Sequence, residues 1–382
     1  MMAESRKPIR VVLSSLLYPP MYSGAARQAR AVLARMGTRI DVTVWTLGRQ
    51  DLAASEQDEH GWQIERRGRL ERPGYGRRFA LDVARALAKG TRPDLIWALG
   101  VDPSTYGLLA LSTIRGIPVV VKLTLEGEDD PLSLSARSAG SVRIALLKRA
   151  AAVVCPSTRM ADLSVQAGLD ANRVHHIPNG VDLALFRPPN PGERNPRSLV
   201  WVGAIQERKR PDLVLEAAMP LFERFPDLVF HVVGGLGRTP EARRFGEAFI
   251  ASVPEEVRDR VVFHGSLDRP EDVVSKAGFL LLPSQAEGLP NVVLEAMACG
   301  TIPIVSDLPA MREAVGNCGI YVQGFVASDW TRAIENALAA ADGSHEQRAA
   351  CRARAEDCFD LGKTSAKYEA IFERLSGRGA TG

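Results

Sequence analysis

Residues 279–307 read FLLLPSQAEGLPNVVLEAMACGTIPIVSD. The apolar run Phe279 to Leu282 predicts a buried parallel strand and Ser284 to Leu289 a polar loop. Asn291 to Cys299 predicts a helix, because Pro290 suits a first helical turn and Gly300 a C-terminal stop. Thr301 to Val305 predicts the next buried strand. Glu287 and Glu295 stand eight positions apart, one in the loop and one just inside the helix. Around Gly288, Leu289, Pro290 and Asn291, several amide N–H groups have no intrahelical acceptor and face the positive end of the helix dipole, which favours a phosphate. Two carboxylates beside an anion site conflict unless they accept hydrogen bonds from hydroxyls while the backbone takes the phosphates. A nucleotide-sugar, two phosphates flanked by ribose and hexose, meets both demands. An ordinary strand-loop-helix with two solvated glutamates is the plain alternative.

The chain has 382 residues, long for one domain and comfortable for two. With 46% hydrophobic and 24% charged residues, the composition is that of a soluble globular protein. A net charge of +3 does not argue for nucleic acid as a partner. No apolar run approaches a membrane span, and MMAESRKPIRVVLSS carries charges where a secretory signal needs an apolar core, so a cytoplasmic location is expected. Cys155, Cys299, Cys318, Cys351 and Cys358 lack paired C-x-x-C spacing; free thiols and no metal site are expected.

Working outward, strands are predicted at Ile9 to Leu17, Val42 to Leu47, Trp62 to Arg66, Leu95 to Leu99, Val119 to Leu123, Ala151 to Ser157 and Val174 to Pro178, alternating with helical patterns. The first strand runs into Tyr18-Pro19-Pro20-Met21-Tyr22-Ser23-Gly24-Ala25; glycine between strand and helix lets a ligand approach the backbone. Arg66, Arg67, Arg69, Arg72, Arg77 and Arg78 crowd a segment read as a loop, which is either simply solvated or meets an anionic acceptor or an acidic membrane surface. Ligands bind beyond the carboxyl ends of parallel strands, so Lys122, Thr124, Glu126, Gly127, Glu128, Asp129 and Asp130 matter. Thr124, Glu126 and Asp129 are candidates for an acceptor's hydroxyl or amine; an exposed acidic loop is the alternative.

Phe186 to Gly192 is polar and proline-rich, and a linker is expected near 188–197, separating domains 1–188 and 197–358 from a terminal segment 359–382. The second half restarts with a strand from Ser198 to Ala204, then Arg208, Lys209 and Arg210 ahead of a helix, well placed to meet a diphosphate. Strands follow at Leu228 to Val233, Val261 to Phe263 and Ile320 to Val322. Gly234-Gly235-Leu236-Gly237 also raises a nicotinamide-dependent oxidoreductase, but lacks the G-x-G-x-x-G spacing. His264, at a strand end, is read as structural.

With its context, the quoted stretch resembles the donor-site signature of the retaining, two-domain glycosyltransferases of family 4; matches such as IPNGVD (177–182) run over about residues 9–325. The resemblance implies a GT-B fold, two Rossmann-like α/β domains with parallel sheets facing across a central cleft. The N-terminal domain would hold the acceptor, the C-terminal domain a UDP- or GDP-linked sugar, and the final helix would cross back onto the first domain through Tyr368, Ile371 and Phe372. It further implies metal-independent catalysis without a cofactor. Lys209, helped by Arg208, would neutralise the diphosphate; Glu287 would accept from sugar hydroxyls and Glu295 from ribose. Gly24, Gly203, Gly235, Ser266, Leu267, Gly288, Leu289, Pro290 and Asn291 would border the donor. Three positions depart from the pattern: Ala25 replaces a second glycine, Ala204 replaces an arginine, and no histidine follows Val121. An epimerase of the same architecture and a non-catalytic sugar-nucleotide binder remain open, as does peripheral contact with the inner membrane face.

Overall fold

Parallel strands covered by helices on both faces must be apolar on both faces, and the predicted apolar runs become strands of two sheets. A computed structural model of the chain describes residues 7–21, 23–72, 74–89, 92–267 and 269–377. Tyr22, Pro73, the charged N-terminal residues before Lys7 and the end of the predicted 359–382 segment lie outside them.

The first sheet comprises β1 (Ile9–Ser14), β2 (Ile40–Gly48), β3 (Ser55–Gln57), β4 (Gln63–Arg69), β5 (Leu95–Leu99), β6 (Val119–Lys122), β7 (Ala152–Cys155) and β8 (Val174–His176). Their order is β3-β4-β2-β1-β5-β6-β7-β8. All pairings are parallel except β3 with β4. The second sheet comprises β9 (Ser198–Val202), β10 (Val229–Val233), β11 (Val261–Gly265), β12 (Phe279–Leu282), β13 (Ile302–Ser306) and β14 (Ile320–Val322), ordered β11-β10-β9-β12-β13-β14 and parallel throughout. Trp45 and Trp97 in the first sheet and Trp201 in the second are fully buried.

The chain divides into two compact units, one of residues up to Gly180 together with those from Leu361, the other Val181 to Asp360. The exchange therefore falls earlier than the expected 188–197 linker. Arginines dock that segment onto the second unit: Arg352 donates to the Leu183 and Phe186 carbonyls, and Arg194 to those of Ala277 and Cys299 and to the Thr301 hydroxyl. The C-terminal helix Leu361–Leu375 belongs to the first unit. Its Tyr368 and Phe372 rings lie 4.5 and 5.5 Å from that of Trp97, and its Ser365 hydroxyl donates to the Val32 carbonyl at 2.9 Å. Gly180 is required where this helix begins, because a Cβ there would sit 2.7 Å from Leu361 Cα.

The arginine-rich loop is another correction. Arg66, Arg67 and Arg69 lie in β4, while Arg77 and Arg78 lie in a helix, Tyr75–Ala88. Gly74 and Gly76 read as breakers, but Phe79, Val83, Ala86 and Leu87 make a buried stripe at helical spacing that holds the segment. All five cysteines are free, and among the described residues no helix is long and apolar enough to cross a membrane.

Phe372 is fully buried, so Phe372→Ala should destabilise the first unit by about 3–5 kcal/mol. Amide hydrogen exchange should then quicken in β1 and β5 as well as in the helix. Exchange quickening in the helix alone would mean that it is a peripheral addition.

Candidate active site

In its own count, the second sheet has strand order 3-2-1-4-5-6, which reverses direction between β9 and β12. Loops leaving adjacent strands at such a reversal part to opposite faces and open a crevice for ligand. The two exits are Gly203 to Arg210 and Pro283 to Pro290, the segments carrying the predicted cations and Glu287.

Past β9 the chain makes a 3-10 turn, Glu207–Lys209, and Arg210 takes the left-handed conformation with φ of 48° before Pro211 starts the helix Pro211–Arg224. Such a backbone costs roughly 1–2 kcal/mol in a non-glycine residue. Trp201 Nε1 donates to the Lys209 carbonyl at 3.2 Å, and Arg210 Nε to the Asp212 carboxylate at 3.0 Å, so the turn is pinned from both sides. Gln285 N–H donates to the Arg208 carbonyl at 2.9 Å, tying the two exits together through a backbone contact between their loops.

Across this tie, Lys209 Nζ lies 2.5 Å from Glu287 Oε1, and Arg208 Nη1 lies 3.5 Å from the same oxygen while donating to the Ala286 carbonyl. Glu287 is only 8% exposed. Burial pushes its carboxyl up, but Lys209, then Arg208, with a contribution from the Ser284 hydroxyl, bring it below the ordinary glutamate range. Two cations share one carboxylate. The cluster keeps an excess positive charge beside the crevice, suited to a diphosphate.

The other predicted donor residues gather at the carboxyl ends of β9 to β12. Gly234, with φ of 139°, passes so close to Gly203 that a Cβ on it would sit 1.7 Å from the Gly203 carbonyl oxygen. A Cβ on Gly235 would meet the Ser266 hydroxyl at 2.7 Å. Leu289 is buried in the apolar core, and Leu267, half-buried, packs against it. Gly288 and Pro290 are buried, Asn291 opens the helix Asn291–Ala298, and Glu295 is half-buried in its second turn. Gly24 lies in the first unit and opens the helix Gly24–Met36, capped by the Ser23 hydroxyl. His264 pairs with His231 at 3.1 Å, and burial lowers both rings, His231 to about 4.

The acidic segment after β6 is arranged differently from the sequence reading. Asp129 is buried and accepts from the N–H groups of Thr124 and Leu125 and from the Thr124 hydroxyl at 2.7 Å, so these two candidates hold the loop together. Burial raises the Asp129 carboxyl to about 6. Asp130 caps the next helix, and Glu126, half-buried, pairs with Arg159 at 3.3 Å. Lys122 is a feature whose environment periodicity could not show. Fully buried at the end of β6, it donates to Asn179 Oδ1 at 2.6 Å, lies 5.7 Å from the Tyr368 ring, and is lowered by burial to about 7. Among the described residues, no group of three or more histidines, cysteines or acids is placed to hold a metal ion.

Two family models match this chain, glycosyltransferase family 4 over residues 22–185 and glycosyl transferases group 1 over 196–340. It is 30% identical over 249 residues to a D-inositol 3-phosphate glycosyltransferase of Rhodococcus jostii, covering 60% of this chain and 54% of the relative. The chain thus spans about half the length of the curated relatives it matches. HepE of Anabaena, solved in complex with UDP-glucose, superposes with a TM-score of 0.74 at 18% identity, over 97% of this chain and all of that one (100%). A sucrose-phosphate synthase from Thermosynechococcus elongatus gives the same TM-score, 0.74, at 18% identity, over 97% of this chain and 99% of that one. These likenesses show the fold, GT-B, with its two Rossmann-like units.

Two pH effects follow, of different origin. Glu287 lies below its ordinary 4.5 in the folded chain, so the stability it contributes is present above that pH and is lost as pH falls through the folded value. In urea titrations Glu287→Gln should lose less stability on acidification than the parent; equal acid loss would mean that the ion pair contributes nothing. For Lys122, the folded chain releases between about 7 and 10.5 a proton that the unfolded chain still holds, so stability rises with pH across that window. Lys122→Met should flatten that rise, and an unchanged slope would show that the amine is solvated.

Proposed function

We propose that this chain, which belongs to the group 1, family 4 glycosyltransferases, transfers a sugar from a nucleotide-diphosphate donor to a hydroxyl group. The observation that carries the reading is the meeting of Lys209, Arg208 and Glu287 at the β9–β12 reversal, a cationic site at the exits of a Rossmann-type sheet. The second unit takes the donor and the first the acceptor. The diphosphate lies against Lys209 and Arg208, with amides of the Gly288 to Asn291 segment as further donors. Glu295 accepts from the ribose hydroxyls, and Glu287 from hydroxyls of the transferred hexose.

In the reaction, the bond from the anomeric carbon to the β-phosphate oxygen breaks as the acceptor oxygen forms its own bond on the same face of the sugar. The acceptor's proton passes to the departing phosphate oxygen, and configuration is retained. Lys209 and Arg208 stabilise the charge that grows on the leaving diphosphate, the work a divalent cation does in other transferases. Glu287 holds Lys209 in position before the donor arrives, so little reorganisation is needed when charge develops. The UDP-glucose complex of HepE makes a uridine nucleotide the first donor to examine, and the phosphorylated polyol named for the Rhodococcus relative the first acceptor.

Calorimetric titration without added metal against uridine, guanosine and adenosine diphosphates tests the donor site. One nucleotide should bind at micromolar strength, and both Lys209→Ala and Glu295→Ala should weaken it. With a competent donor, Lys209→Ala should lower kcat by about 100- to 1000-fold, or about 2.7–4 kcal/mol. Binding to none of the three, or tight binding only to a nicotinamide dinucleotide, would overturn the reading.

A further inference from the structure

In the first unit, away from the residues assigned above, a cavity of about 600 Å³ opens between β4 and the helix Tyr75–Ala88. Its charged lining is Arg66, Arg69, Arg72, Arg78 and Arg85, with Asp82 as the single acid. That volume is in the range of small-molecule sites, roughly 300–1000 Å³. A second hollow of about 520 Å³ shares Arg66, Asp82 and Arg85 with it and extends toward Lys89.

Two of the five guanidinium groups are already matched. Arg66 pairs with Glu56 at 2.5 Å and donates to the Ala53 carbonyl, and Arg85 pairs with Asp82 at 3.0 Å. Arg69, Arg72 and Arg78 have no ion-pair partner among the described residues, so three unmatched cations line one concavity. Two further features point the same way. The Arg66 side chain is 1% exposed, and its buried Nε has no hydrogen-bond partner. The first turn of the helix Tyr75–Ala88 contains no acid, while Arg77 and Arg78 stand near its positive end. Cations there work against the helix dipole, and an anion in the cavity would offset that. Guanidinium groups match phosphate oxygens in bidentate geometry, and Leu81, 57% exposed on the wall, offers apolar contact to an attached organic group.

We propose that this cavity binds a phosphate-bearing ligand, held by Arg69, Arg72 and Arg78. The site is independent of the donor site. Its ligand is either a soluble phosphate ester or the headgroup of an anionic lipid, which present the same chemistry to the arginines.

The test titrates inorganic pyrophosphate into the full chain, into Lys209→Ala, and into a triple variant with Arg69→Gln, Arg72→Gln and Arg78→Gln. Flotation with phosphatidic acid vesicles runs in parallel. Pyrophosphate should bind the parent, and in Lys209→Ala, where the donor site is weakened, binding should persist; the triple variant should lose this Lys209-independent binding by about tenfold or more, and it should fade in high salt. Should the triple variant unfold, Arg72→Gln alone, in the exposed turn, should still weaken binding several-fold. Arginine-dependent flotation that pyrophosphate displaces would identify a lipid headgroup as the source; pyrophosphate binding without flotation would identify a soluble ester. Binding that follows Lys209 and ignores the arginines, or no binding to either probe, overturns the proposal.

Discussion

Lys209 and Glu287 are 78 positions apart in the chain, and they meet because β9 and β12 are neighbours in the sheet. The hydrophobic demand for strands buried on both faces sets that adjacency, and the strand order then directs the exit loops to opposite sides. Everything assigned to the donor site depends on this constraint. The glycines sharpen it. Gly203 and Gly234 leave adjacent strands in backbone contact, so the loops stay low and the crevice stays open above them.

Cations away from this crevice show what a buried positive charge requires. Arg194, Arg348 and Arg352 end on backbone carbonyls, among them Ala298 and Cys299 at the end of the helix Asn291–Ala298 and Gly278 and Gly300 beside it. The last carbonyls of a helix have no intrahelical donor, so Arg194 and Arg352 satisfy the end of the helix that carries Glu295 while binding the segment after Val181 to the second unit. Arg194 bears the consequence of that burial, lowered to about 10. Lys122 is the opposite case, a buried amine with a neutral amide and an aromatic ring as its described neighbours.

Much of this was legible in the sequence, because parallel strands announce themselves as short apolar runs. β5, β12 and β14 have the predicted bounds, Leu95–Leu99, Phe279–Leu282 and Ile320–Val322. β3 was not legible, because Ser55, Glu56 and Gln57 sit exposed at a sheet edge and bury nothing. The helix Tyr75–Ala88 was hidden by Gly74 and Gly76, whose local preference lost to the apolar stripe that follows. The unit boundary was misplaced because proline-rich polar sequence reads as a linker, whereas its position is set by carbonyls that distant arginines reach. At the candidate site, residue types pointed to the cations and glutamates. The Lys209–Glu287 pair did not show, since adjacency of β9 and β12 is a property of the sheet and not of either motif.

The family resemblance implies an arginine where Ala204 stands, and in this chain a neighbouring cation enters the cluster. Arg208 reaches back to the Ala286 carbonyl and lies 3.5 Å from Glu287, so a guanidinium from the turn itself enters the cluster from the opposite exit loop. Its position is fixed by the backbone tie from Gln285, and the left-handed Arg210 bends the turn sharply into the following helix. A cation held by a carbonyl of the facing loop can meet a diphosphate without the side-chain ordering that a free arginine would require. The turn that costs backbone energy is the one that brings Arg208 and Lys209 together on a single carboxylate.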